Sequence, residues 1–165
     1  MATNLKANGV DIESNLIPKN AIWTPGSRKT LFSWGDNSYY QLGTKDSLHR
    51  STPTKVQGIN DWKKIEQGYL LSMAIRNDGT LWTWGFNEHG RLGLGDTQHR
   101  STPTQVGTLT DWDQISGTSF HALAMKKDGT LWAWGRNDYG QLGLGDRVHR
   151  SSPTQVGSLT DWKMF

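Results

Sequence analysis

Cysteine is absent from this 165-residue sequence, and that absence removes several kinds of chemistry at once. No disulfide can hold the fold, no thiolate can act as nucleophile, and no zinc site of the cysteine type can form. Long apolar runs are missing too: no stretch of about 18 apolar residues exists to span a bilayer. The opening residues 1–18 lack the charged-then-apolar order of a secretory signal, so a soluble chain is expected. Charge of one sign is not concentrated anywhere. Lysine and arginine total 18 against 15 acidic residues, a net of +3, and the two signs interleave. A nucleic-acid binder normally shows a basic stripe, and none is visible. What the sequence has instead is nineteen glycines and nine tryptophans. Turn formers and large aromatics in such number point to many short strands.

The tryptophans and glycines recur with a fixed period. Trp34, Trp84 and Trp134 each open a Trp-Gly-x-Asn group, fifty residues apart. His49, His99 and His149 each open His-Arg-Ser-[Thr/Ser]-Pro-Thr at the same interval, and Asp61-Trp62, Asp111-Trp112 and Asp161-Trp162 follow it. Laying Gly79–Trp112 over Gly129–Trp162 leaves nine of thirty-four positions different, with no insertion or deletion. Constant spacing of this kind means one structural unit copied in tandem.

Each unit reads as four short strands. In the best-preserved copy they are Thr102–Val106, Trp112–Ser116, His121–Lys126 and Thr130–Trp134. Asp128-Gly129 supplies the tight turn between the last two, since glycine accepts positive φ at little cost. Leu131-Trp-Ala-Trp134 alternates large and small side chains, as a packed strand does. Four antiparallel strands per unit, stacked around an axis, make propeller blades. No segment shows the three-and-four spacing that a helical solenoid needs.

The motifs carry a resemblance. The stretch His121-Ala-Leu-Ala-Met-Lys-Lys-Asp-Gly-Thr-Leu-Trp-Ala-Trp-Gly-Arg-Asn-Asp-Tyr-Gly-Gln-Leu-Gly143 is similar to the repeat of the regulator-of-chromosome-condensation family. The first copy departs from it where Tyr40 replaces the glycine of Gly90 and Gly140, and the second where Leu71 stands in place of His121. The resemblance runs from about Thr30 onward and implies an all-β propeller, usually of seven blades. A full ring of that period needs about 350 residues. An incomplete ring is therefore expected, with complete blades at 52–84 and 102–134 and partial blades at both ends. Open strand edges invite pairing, so self-association, a partner or missing repeats should complete it. The final residues, Asp161 to Phe165, fall inside a strand pattern, which points to truncation.

Residues 1–28 lie outside the repeat, with 29–165 forming the tandem repeats. Pro18 and Pro25 break any long helix there. The segment reads as a tail or as a docking arm. Its start, Asn4-Leu-Lys-Ala-Asn-Gly-Val-Asp11, resembles the opening of some phage tail and fibre proteins, which implies a virion component as an alternative.

Residues that could carry chemistry all repeat with the scaffold. His49, His99 and His149 suggest metal ligation, but they recur once per blade, and a metal needs its ligands within about 2–2.5 Å. They are read as loop histidines bonding their own blade. Asp96 and Asp146 are single carboxylates without the packed acidic spacing of a calcium loop, and read as turn stabilisers. Asp78 and Asp128 are hairpin residues. Gly93-Leu-Gly95 precedes no helix, so it is not a phosphate cradle. Trp82, Trp84, Trp132 and Trp134 could stack on sugars, but strand positions favour core packing. No catalytic, metal or cofactor-binding residue is assigned, and none of the sets converges as an enzyme site would.

Function is instead expected where the copies differ. Those positions cluster in the loops between blades, and loops on a rigid scaffold carry recognition. Tyr39, Tyr40, Phe86, His89, Arg136 and Tyr139 include residue types enriched at binding hot spots. The expectation is a noncatalytic module for protein interaction or structural assembly, with protein partners or a homo-oligomer and no membrane or nucleic acid. Nucleotide exchange on a small GTPase, which the family resemblance implies for some members, is set against the absence of any insertion between repeats. Glycan binding is the remaining alternative.

Overall fold

The computed structural model describes the backbone of residues 6–7, 10–11 and 21–23, and residues 30–163 in full. Thirteen strands lie along the chain. β1 (Lys6–Ala7) and β2 (Val10–Asp11) pair only with each other. β3 (Ala21–Trp23), β4 (Leu31–Gly35) and β5 (Arg50–Lys55) form a three-stranded antiparallel sheet. β6 (Trp62–Gln67), β7 (Leu71–Arg76), β8 (Leu81–Gly85) and β9 (Arg100–Gln105) form the next sheet, with four strands in chain order. β10 (Trp112–Gly117), β11 (His121–Lys126), β12 (Leu131–Gly135) and β13 (Arg150–Gln155) repeat it. These are propeller blades, and the described residues do not close a ring.

The expected blade limits need correcting. The His-Arg-Ser-Thr-Pro strand does not begin a blade. It returns after the long loop and pairs with its own unit's Trp-Gly strand: Thr83 lies opposite Thr104 and Gly85 opposite Arg100. Hydrogen-bonded blades therefore run 62–105 and 112–155, not 52–84 and 102–134. A fifty-residue period sets the length of a unit but not its phase, so sequence alone could be cut at any strand. Each returning strand carries a proline (Pro53, Pro103, Pro153) and lies at a sheet edge, where a missing N–H costs no ladder bond. A second correction concerns the segment before residue 29. Ala21 pairs with Ser33 and Trp23 with Leu31, so this stretch is a strand of the first sheet. Most of the remaining expected arm or tail lies outside the described residues.

Hairpin chemistry appears where the sequence places it. In the Asp128-Gly129 turn, Asp128 Oδ1 accepts bonds from Thr130 N at 3.0 Å and Thr130 Oγ1 at 2.7 Å. Thr130 Oγ1 in turn accepts from Trp132 Nε1 at 2.9 Å. Asp78, Thr80 and Trp82 repeat the relay.

The core sits between sheets. Leu71, Met73, Ile75, Leu81 and Leu92 of one unit pack with Trp112, Ala122, Ala124 and Trp134 of the next. Leu31 and Val56 pack in the same way with Trp62, Ala74 and Trp84. β10 lies against β6 and β7, which identifies the first strand of each blade as the inner one. Burial of each large aromatic contributes on the order of 2–3 kcal/mol.

Candidate protein-interaction face

Three long loops, 36–49, 86–99 and 136–149, share one face, and each is held by the same hydrogen-bond frame. A buried asparagine sits at the centre. Asn87 Oδ1 accepts from Leu92 N at 2.8 Å, while Nδ2 donates to Asp96 O at 3.0 Å and Asp96 Oδ1 at 3.1 Å. Asn87 N donates to His99 Nδ1 at 3.1 Å. Asn37 with His49 and Asn137 with His149 do the same at 3.0 Å. The recurring histidines thus bond the backbone of their own unit. Arg100 Nη2 closes the frame on Asp96 at 2.6 Å, as Arg50 does on Asp46 and Arg150 on Asp146. Asp96 and Asp146 are the turn stabilisers the sequence suggests. Backbone N–H and arginine bonds hold Asp46 and Asp146 below the ordinary carboxylate range. Burial alone would raise Asp96, but Arg100 and the Gln98 N–H outweigh it, and the net shift is downward.

On this frame the variable side chains meet across units. The Tyr39 ring packs edge-on against Phe86, 4.7 Å between centroids, and Phe86 lies 4.5 Å from the His99 ring. The Arg91 guanidinium is sandwiched between Phe86 at 4.8 Å and Phe120 at 5.1 Å. Arg136 covers the Phe120 ring at 5.2 Å and bonds the Asp138 carboxylate. His89 packs on His149 at 4.7 Å. Phe86, His89 and Arg136 thus stand beside neighbours from the next unit or the last, in one ribbon of alternating aromatic and cationic groups. Tyr139 is 82 % exposed beside a shallow depression lined by Thr118, Phe120, His121, Arg136 and Gln141. Tyr40 stands apart: it is half-buried in a left-handed turn at φ 65°, and no ring contact joins it to the ribbon.

Charge along the ribbon is shaped by burial. Arg91 has no side-chain exposure. Its Nε donates to Glu88 O at 3.0 Å and its Nη1 to Ser119 O, while Nη2 lies 3.7 Å from the Glu88 carboxylate without a hydrogen bond. Burial pushes the Arg91 guanidinium down from its ordinary value, with Glu88 opposing. Burial likewise pushes His89 down, and the nearby His149, Arg136 and Arg91 add to it against Glu88. The Arg136 bond holds Asp138 low.

Arg91, Phe120 and His149 belong to this face although the sequence reasoning did not assign them to it. Arg91 stands where the other units have Gln41 and Gln141, and Phe120 where the preceding one has Leu70. Both differ between copies, so the signal used for the other positions would have found them. The tryptophans go elsewhere. Trp84 and Trp134 are fully buried, and Trp82 and Trp132 are half-buried against Trp62 and Trp112.

Fold and face together define a tandem-repeat β-propeller whose variable surface is its loop face. The chain matches the family described as "Regulator of chromosome condensation (RCC1) repeat" over residues 30–75, 78–125 and 128–164, with a second match of that description over 112–141. It belongs to the RCC1-repeat family. A search of the curated proteins gave no match. Among solved structures it is similar to Prp20p of Saccharomyces cerevisiae, a structure described with that protein's binding to Gsp1p and histones. The identity is 20% and the TM-score 0.74, covering 84% of this chain and 36% of that one. It is also similar to yeast RCC1 (Prp20) bound by Kap60, at 20% identity and TM-score 0.73, covering 84% and 35%. Human WBSCR16 follows at 23% and 0.71, covering 84% and 38%. The chain thus spans little more than a third of each of these proteins, and at these identities the likeness is one of fold. The alternative of a virion component gains no support from these relatives. Among the described residues no helix is long and apolar enough to cross a membrane.

Proposed function

We propose that this chain is a noncatalytic propeller module that binds another protein, or assembles a structure, through its loop face. The observation that supports this reading best is the ribbon from Tyr39 through Phe86, Arg91 and Phe120 to Arg136 and Tyr139. It carries aromatic and arginine side chains, the types enriched at binding hot spots, across loops braced by buried asparagines. A face this shallow suits a protein surface better than a small molecule, which prefers an enclosed pocket. Nucleotide exchange would need a reading carried over from relatives that share the fold alone, so it is not adopted. The test is a displayed peptide library panned against the chain. Selected peptides should bind the wild type and lose at least about tenfold in affinity, roughly 1.4 kcal/mol, against a Tyr39→Ser, Phe120→Ser, Tyr139→Ser variant. Unchanged affinity would remove the loop face as the binding surface.

A further inference from the structure

Each long loop latches the sheet that follows it with the same groups. Gln41 O accepts from Trp84 Nε1 at 3.0 Å and from Ser72 Oγ at 2.8 Å. Arg91 O accepts from Trp134 Nε1 at 3.0 Å in the next unit. Beside these, Lys45 N donates to Ser101 O at 2.9 Å and Gly95 N to Ser151 O at 2.8 Å. The loop backbone lies so close that a Cβ on Gly93 would sit 2.7 Å from the Trp134 indole nitrogen, and one on Gly90 2.4 Å from Ser151 Cα.

Loop 136–149 has the same backbone shape. Its Gly140, Gly143 and Gly145 have φ of 78°, 68° and 79°, against 73°, 73° and 83° at Gly90, Gly93 and Gly95. Among the described residues nothing occupies the position of the latched sheet. A Cβ on Gly140 would find no atom nearer than 3.8 Å, and one on Gly145 none within 4 Å. No described residue bonds Gln141 O or Gly145 N across this face.

The first sheet presents the opposite half of the latch. Trp34 and Ser51 stand fifty residues before Trp84 and Ser101. Trp34 is half-buried where Trp84 and Trp134 are fully buried, and Ser51 is exposed where Ser101 and Ser151 are half-covered. Trp34 Nε1 has no acceptor among the described residues. The inner strands agree. Trp62 and Trp112 open β6 and β10, and Trp162 holds the same place after β13 with its buried Nε1 unpartnered. Thr160 O packs over Gly129 as Thr110 O packs over Gly79. One end thus brings the start of a further inner strand, while the described first sheet has three strands and lacks the counterpart of β6.

We infer that a second copy of this chain docks its first sheet on loop 136–149, head to tail. Gln141 O accepts the copy's Trp34 indole N–H, Gly145 N donates to the copy's Ser51 carbonyl, and the Trp162 segment lies beside the copy's β3. This deepens the assembly half of the proposed function and is independent of peptide binding by the loop face. The contact is heterologous, so it closes as a ring or propagates as a chain of copies.

The test uses two blocked faces. Gly140→Trp adds bulk to the loop, at a position whose counterpart Tyr40 already carries a side chain at positive φ. Ser51→Trp adds bulk to the exposed edge strand of the first sheet. Solution mass by light scattering should exceed the 18.5 kDa of one chain for the wild type and fall to one chain for each variant. An equimolar mixture of the two folded variants should give the mass of two chains, because each retains one sound face. A wild type that stays at one chain up to millimolar concentration, or folded variants that do not pair on mixing, would overturn the inference. Peptide binding by such a monomer would leave the loop-face reading standing.

Discussion

Two tryptophans in one blade offer a paired measurement of the inter-blade latch. Trp134 and Trp112 are both fully buried and pack 6.4 Å apart in the same cluster. They differ in one atom's fate. Trp134 Nε1 donates to Arg91 O at 3.0 Å, whereas Trp112 Nε1 is buried without an acceptor. Replacing either by phenylalanine removes similar ring volume, so the cavity cost cancels to first order. Trp134→Phe also loses a buried bond, worth about 1 kcal/mol, and strips a carbonyl of its donor; Trp112→Phe relieves an unsatisfied N–H that costs about 1–3 kcal/mol. Trp134→Phe should therefore be the more destabilising by about 2–3 kcal/mol. With a urea m-value of about 2 kcal/mol/M, that is a midpoint difference of about 1 M. Trp84, bonded to Gln41 O at 3.0 Å, and Trp62, unbonded, give an internal replicate. Equal midpoints within each pair, or the reverse order, would refute the claim that the indole bond between units carries this stability.

Other consequences follow from the loop frame. Gly93→Ala drives a Cβ into the Trp134 indole, whereas Gly143→Ala, at nearly the same φ, meets only Val156 at 3.4 Å. Urea denaturation should show Gly93→Ala lower by more than the roughly 1 kcal/mol that positive φ costs alone. Asn87→Asp places a carboxylate where Nδ2 faces Asp96 Oδ1, so its melting temperature at neutral pH should fall below that of Asn87→Ala. Acid should loosen the loops in a defined window. Because the folded-state pKa of Asp96 is depressed, its contribution is present above the unfolded value, about 3.9, and is lost as pH falls through the folded value. Stability measured from pH 5 down should therefore decline below about 4, and Asp96→Asn should flatten that decline.

Sequence reading reached the blades because a fifty-residue period with invariant Trp-Gly, Asp-Gly and His-Arg positions leaves few architectures. Strands His121–Lys126 and Trp112–Gly117 fall within a residue of expectation, since each begins and ends on a turn residue or a buried aromatic. Blade phase was not legible. Pro103 marks an edge strand, but both ends of a blade are edges, and only the pairing of Gly85 with Arg100 says which blade owns it. The loop asparagines were visible as a repeat, yet their role was not, because it depends on a chain reversal that brings Asp96 and His99 back to Asn87.

The site shows the same division between local and long-range information. Variation between copies correctly drew attention to Phe86, His89 and Arg136, and the same rule extends to Arg91 and Phe120. It misled at Tyr40, where the varied residue occupies a turn rather than the ribbon. Variation marks where the scaffold does not dictate a side chain. It does not say whether that freedom lies on an open surface or under a neighbouring unit. Arg91 illustrates why the distinction matters. Its carbonyl is obligatory for the Trp134 latch, while its side chain is free to differ and fills the seam between Phe86 and Phe120. One residue thus joins two blades through its backbone and tunes the exposed face through its side chain. In a chain of copied units, the backbone carries assembly and the side chains carry identity.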